Sequence, residues 1–244
     1  MCEDIDDVEE VFRSVREHDY NELRNDVSGL MARVRAMDDA VDELGELEDE
    51  IQEKSWAIIP QGNEEHLNRE NLLIEVLKIV DDGYLSSTWA LRETLNSLKS
   101  DHASESSEVK SLCEKYKKES RAVIGLRIYS HHGNSLPIKI IDDTRREYIG
   151  SSREVRRKIG VSVADVKEKR GGEYHRSPEH YYGHLDTDFI HLPSFLRSHF
   201  EMAEELANEF IDEVLEENLD TVQDYQNIGT ELKSLLDSGA HNRY

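Results

Sequence analysis

The residue types best suited to chemistry in this chain fall together in the run Leu126-Arg127-Ile128-Tyr129-Ser130-His131-His132-Gly133. A guanidinium is a permanent planar fork that matches phosphodiester oxygens, and an imidazole accepts or donates a proton near neutral pH. Arg127 and His132 together suffice in principle to cleave RNA without a metal or cofactor. His132 activates the 2′-hydroxyl or protonates the leaving oxygen, while Arg127 offsets charge on the phosphorane. The two lie five positions apart, about 140° around an ideal helix, so they converge only if the last turn unwinds. The competing reading is a solvated helix end, where cationic side chains complement the helix dipole.

Histidine and basic residues gather further on. Seven of the eleven histidines lie between His131 and His199, among them His175, His180, His184 and His191, with Asp186 and Asp188 close by. His180 and His184 would share one helix face, as zinc ligands do. Gly183 between them, the lack of a catalytic Glu and the neighbouring Tyr181-Tyr182 favour a loop of solvated histidines or an RNA-facing rim, and no metal is assigned. Between Thr144 and Arg176 ten Lys or Arg face five Asp or Glu, a local balance of +5 in a chain of net charge −23. Arg145, Arg146, Arg153, Arg156, Arg157 and Lys158 are therefore the candidate contacts to RNA or a partner. A phosphate-cradling glycine loop and a Gly-x-Ser-x-Gly elbow are both absent from the sequence.

The elements that must position these groups read as helices. Apolar residues at Leu23, Val27, Leu30, Val34, Met37, Val41, Leu44 and Ile51 step by fours and threes, with Glu48 standing where one is due. That heptad pattern predicts a long helix whose seam packs either on this chain or on a second one. Val8, Phe12 and Val15 keep helical spacing upstream and lose register near Asp19, and Pro60-Gln61-Gly62 ends the stretch. A core helix is predicted from about 64 to 98, with Gly83 a weak point, and a third from about 107 to 131 after a loop closed by a serine N-cap. Gly133-Asn134 supplies its left-handed stop. β-branched residues over 136–141 and 155–166 predict a small hairpin. Leu192-Pro193-Ser194 opens a final helix that runs past Val222 toward Leu235.

Composition sets the class. Charged residues make up 34% and aromatics 7%, with four prolines in 244 residues, a balance of long solvated helices rather than a strand-rich sandwich. The net charge of −23 repels anionic membranes and nucleic acid outside any local basic patch. Twelve lysines against fifty-three acidic residues resemble a haloarchaeal surface, suited to molar salt with a Debye length of about 3 Å, the alternative being an acidic protein of an ordinary cell. Two cysteines and an acidic N-terminus without a long apolar run predict a cytoplasmic, membrane-free protein.

The segment Ala122-Val123-Ile124-Gly125-Leu126-Arg127-Ile128-Tyr129-Ser130-His131-His132-Gly133-Asn134-Ser135-Leu136-Pro137 resembles the HEPN superfamily, in particular members reading Leu-Arg-Asn-Tyr, two residues, His, then Leu-Pro. The resemblance is specific here and loose over 68–222. It implies an up-and-down four-helix bundle that dimerises, so that two copies of an Arg, four to six residues, His motif form one metal-independent RNA-cleaving cleft. Such proteins often serve toxin–antitoxin or antiviral systems. Carried over, the motif makes Arg127 and His132 the active pair, with His131 a possible substitute. The chain departs at Ile128, where members carry Asn, Asp or His; an alkyl side chain can neither bond the phosphate nor orient the histidine.

The expected architecture is all-α: a helical or coiled-coil extension over 1–58, then a HEPN-like bundle over 63–236 with a basic loop-hairpin insertion at 135–191. Two functions follow from it. One is a metal-independent endoribonuclease, without cofactor, acting as a homodimer on RNA, with an antitoxin as a possible partner. The other is a non-catalytic helical module for dimerisation or capture of another protein.

Overall fold

The computed structural model describes residues 3–53, 63–131, 135–144, 155–167 and 177–241. Their order is α1 (Glu3–Glu17), α2 (Tyr20–Glu53), α3 (Asn63–Leu77), a π-helical turn (Lys78–Leu85), α4 (Ser86–His102), α5 (Ser107–Glu119), α6 (Arg121–His131), β1 (Ile138–Thr144), β2 (Val155–Ser162), α7 (Val163–Lys167), α8 (Pro178–Tyr182), β3 (Phe189–His191), α9 (Leu192–Glu217) and α10 (Leu219–His241). The chain is all-α with one small β insertion. No helix among the described residues is long and apolar enough to cross a membrane.

The heptads of α2 pack on their own chain. Leu23, Leu30, Val34, Met37, Val41, Leu44 and Ile51 are all buried, against α4, α9 and the π turn. A coiled coil with a second chain through this seam is thereby replaced by an internal one. The division into an extension over 1–58 and a bundle over 63–236 is likewise not a division of the core, because α2 joins α4, α6 and α9 in one buried cluster. Arg197 of α9 reinforces the packing, donating to Asp38 at 2.9 Å and to Asp42.

The heptad helix α2 is continuous, whereas the other three long predicted helices are interrupted. The one expected from 64 to 98 runs from Asn63 to His102 but widens at Lys78–Leu85, where Ser86 N–H reaches Asp81 carbonyl. A π turn holds one extra residue, and such bulges arise where a helix is re-aimed. Gly83 lets α2 approach, since a Cβ there would lie 3.3 Å from Ala40 Cβ. The helix expected over 107–131 breaks at Ser120 into α5 and α6. Its N-cap is Ser106, whose Oγ accepts from Val109 N–H at 3.3 Å. At the far end, Asn218 separates α9 from α10 and donates to the carbonyls of His102 at 2.9 Å and Val214 at 2.7 Å. α10 then returns along α1, with the Tyr20 and Tyr225 rings 4.7 Å apart.

The insertion is an antiparallel sheet of order β1-β2-β3, in register Ile140 opposite Ile159 and Val161 opposite Ile190. The end of the segment expected as strand, Val163 to Val166, lies in α7 (Val163–Lys167) instead. β3 covers only the end of β2 from Gly160 on. The earlier half is met by α2: Gln52 Oε1 accepts from Arg157 N–H at 3.1 Å, Gln52 Nε2 donates to Arg157 carbonyl, and Glu48 Oε1 accepts from Ile159 N–H at 3.0 Å. Two side chains one helical turn apart thus stand in for the missing strand, satisfying backbone groups that would otherwise be buried without partners.

Candidate functional site at the end of helix α6

Helix α6 is two different halves. Ala122, Val123, Ile124, Gly125 and Leu126 are buried. Gly125 is required by close packing, because a Cβ there would lie 2.7 Å from Tyr181 Cβ and 2.9 Å from the Tyr182 ring of α8. From Arg127 the helix turns polar. The Arg127 guanidinium donates through Nη1 to Asp81 Oδ1 at 3.3 Å, and the two side chains are 25% and 30% exposed. Ser130 Oγ lies 2.6 Å from the same oxygen and 3.0 Å from Arg127 carbonyl. The π turn thus carries Asp81 to the last turn of α6, and one carboxylate oxygen gathers both Arg127 and Ser130.

The neighbours of Arg127 differ in role. Ile128 is half-buried and packs on the core, so the residue that departs from the HEPN pattern serves structure. Tyr129 is buried, and burial followed by the nearby Asp165 carboxylate pushes its phenol pKa up. His131 is exposed at the end of α6. His132, Arg145, Arg146 and Arg153 lie outside the described residues, as does the expected stop at Gly133-Asn134.

The other expected binding residues sit in β2. Arg156 pairs with Asp143 and Lys158 with Ile141 in the strand register. Arg157 is turned to α2, its Nη1 donating to Ile51 carbonyl at 3.4 Å, where a cation complements the helix C-terminus. The same side chain thereby helps to dock the insertion on α2.

The histidines disperse. His180 lies in α8 and His184 is exposed beyond it, so they do not share the helix face that a zinc pair needs. No group of three metal-ligating residues occurs among the described residues. His191 Nε2 bonds Glu48 Oε1 at 2.8 Å, which explains the carboxylate in the α2 seam. His199 lies inside the core at 6% exposure: Tyr84 hydroxyl is 2.7 Å from its Nδ1 and 2.9 Å from Leu196 carbonyl, and Ser120 Oγ is 2.9 Å from its Nε2. Burial alone lowers the His199 pKa to about 3, so the ring is neutral, and burial likewise raises the Tyr84 pKa.

Reading residue types along the chain found Arg127 and missed Asp81, Ser130 and Glu48. The available signals were Asp81-Asp82 inside an apolar-spaced helix and Glu48 at a heptad position. Chemically, the α6 end offers a held guanidinium and an acceptor carboxylate, both partly exposed, over a buried Ser130 hydroxyl. No protein-family model, curated protein or solved structure matches this chain, so its site is read from its own geometry.

Proposed function

We propose that the chain is a HEPN-like, metal-independent endoribonuclease that works as a homodimer in the cytoplasm, in a toxin–antitoxin or antiviral setting. The supporting observation is the Arg127–Asp81–Ser130 cluster at the end of a core helix. Asp81 takes Nη1, and a guanidinium has five N–H donors, so the fork can be anchored by one arm while it meets phosphate with others. A pre-aimed cation of this kind stabilises a phosphorane without reorganising. His132 supplies the proton transfer, with His131 its possible substitute, and Arg145, Arg146, Arg153, Arg156, Arg157 and Lys158 guide RNA past an acidic body. The test is cleavage of total RNA in molar salt with EDTA. The wild-type protein should cut, and an Arg127→Ala, His132→Ala double variant should lose at least about 10²-fold of the rate. No cutting by folded wild type, or equal cutting by both, refutes this reading.

A second reading is a non-catalytic helical module that dimerises or captures an antitoxin or other protein. The observation favouring it is that Ile128 packs on the core and the Arg127 charge already faces Asp81. It predicts a discrete dimer or complex by light scattering, unchanged by the double substitution.

A further inference from the structure

Glu48, His191 and Ser194 lie in one hydrogen-bonded line between α2, the end of β3 and the first turn of α9. His191 Nε2 is 2.8 Å from Glu48 Oε1 and 3.1 Å from Oε2, and His191 Nδ1 is 2.8 Å from Ser194 Oγ. The carboxylate is itself fixed, because Oε1 also accepts from Ile159 N–H at 3.0 Å. Side-chain exposure rises outward, 17% for Glu48 and 27% for His191, with Ser194 exposed at the surface.

This order sets the imidazole tautomer. An ionised Glu48 can only accept, so Nε2 carries the proton and Nδ1 keeps its lone pair. That lone pair faces the Ser194 hydroxyl, whose other acceptor, His191 carbonyl, is farther at 3.3 Å. A hydroxyl held by a basic nitrogen whose far side is held by a carboxylate is the arrangement that activates serine as a nucleophile, and it is recognised by geometry rather than by residue order. The strand-to-helix turn contributes as well. Ser194 lies in the first turn of α9, where N–H groups have no intrahelical acceptor.

We propose that Ser194, His191 and Glu48 form a nucleophilic relay that hydrolyses small, exposed acyl esters. Ser194 Oγ forms a bond to the acyl carbon as its proton passes to His191 Nδ1. The ester C–O bond then breaks, and the leaving alkoxide takes that proton from His191. Water attacks the acyl-serine with His191 again accepting a proton, which returns to Ser194 Oγ as the carboxylic acid leaves. Glu48 stays ionised throughout and acts as a positioning residue. This activity is independent of RNA cleavage at α6.

The experiment treats the full chain with a fluorophosphonate probe and with p-nitrophenyl acetate, in molar salt. The expected result is one phosphonyl adduct, mapped to Ser194 by peptide mass spectrometry, and ester hydrolysis that falls to background in Ser194→Ala and His191→Ala. Glu48→Gln is the sharper variant. Its carbonyl still accepts from Ile159, while its amide donates to Nε2 and drives the proton onto Nδ1, so the rate should fall by roughly 10³ to 10⁴ with helical circular dichroism retained. A folded wild-type protein that takes up no probe, or that hydrolyses ester no faster than Ser194→Ala, reduces the three groups to a helix cap and overturns the proposal.

Discussion

The π turn over Lys78–Leu85 carries polar groups to two places at once, and the two behave as opposites. Inward, Tyr84 joins His199 and Ser120 in a cluster sealed by α4, α5 and α9, where burial holds the imidazole neutral. Toward the surface, Asp81 meets Arg127 and Ser130 at 30% and 25% exposure for the ion pair. Tyr84 and Asp81 are three positions apart, yet one cluster is part of the packing and the other holds a partly exposed ion pair. Polar content alone does not mark a functional site. What separates them is access: a sealed cluster with its partners supplied can only hold the fold, whereas a half-open cation can still exchange partners.

The largest effect should follow from breaking the sealed side. His199→Ala removes a ring from a close-packed core and leaves Ser120 Oγ without its imidazole partner, costing about 3 kcal/mol. The check is a urea-unfolding midpoint at pH 7.5 against wild type. A loss below about 1 kcal/mol would mean that the cluster is hydrated and the contrast with α6 fails.

The next effect uses proton linkage. The folded His199 pKa is lowered to about 3 from an ordinary 6.5, so below 6.5 the unfolded chain binds a proton that the folded chain refuses. The contribution to stability is therefore complete above pH 6.5 and is lost as pH falls toward 3. The slope is about 1.4 kcal/mol per pH unit once the unfolded imidazole is charged, or about 2 kcal/mol by pH 5. His199→Gln should lack this slope. Subtracting its unfolding free energies from wild-type values at several pH points cancels the many carboxylates common to both, and parallel curves would show that His199 charges freely in the folded chain.

How much of this was legible in the sequence depends on the range of the interaction. The α2 seam was readable because seven of its apolar positions are buried as the four-three spacing requires, and a local period is a one-dimensional property. That the seam closes on its own chain was not, since apolar positions do not name their partner. Glu48 was visible as an interruption, but His191, which explains it, is 143 residues away. The break at Ser120 escaped because neither glycine nor proline marks it; the helix stops where Ser120 turns to His199. His199 itself stands among the apolar positions Leu196, Phe200 and Ala203, a placement that could have marked it as a core histidine. At the candidate site, residue type and spacing picked out Arg127, while Asp81, 46 residues upstream, meets it only through packing of the π turn on α6.

The smallest effect on stability, and the most telling for the comparison, belongs to the open side. Asp81→Asn removes one charge of an ion pair that water reaches from both ends, so a double-mutant cycle with Arg127→Ala should give a coupling within about 1 kcal/mol. Ser130 keeps an acceptor in Arg127 carbonyl, so its hydroxyl is not stranded by the change. If the chain is the endoribonuclease proposed above, function should respond more than folding does: a guanidinium no longer held by a carboxylate loses its aim, and RNA cleavage should fall by about tenfold, mainly in kcat. The variant shares wild-type unfolding at pH 7.5 if the cluster is held for use rather than for support. A loss as large as that of His199→Ala would place Arg127 and Asp81 with the sealed cluster, and the half-open exposure of the pair would then have no functional meaning.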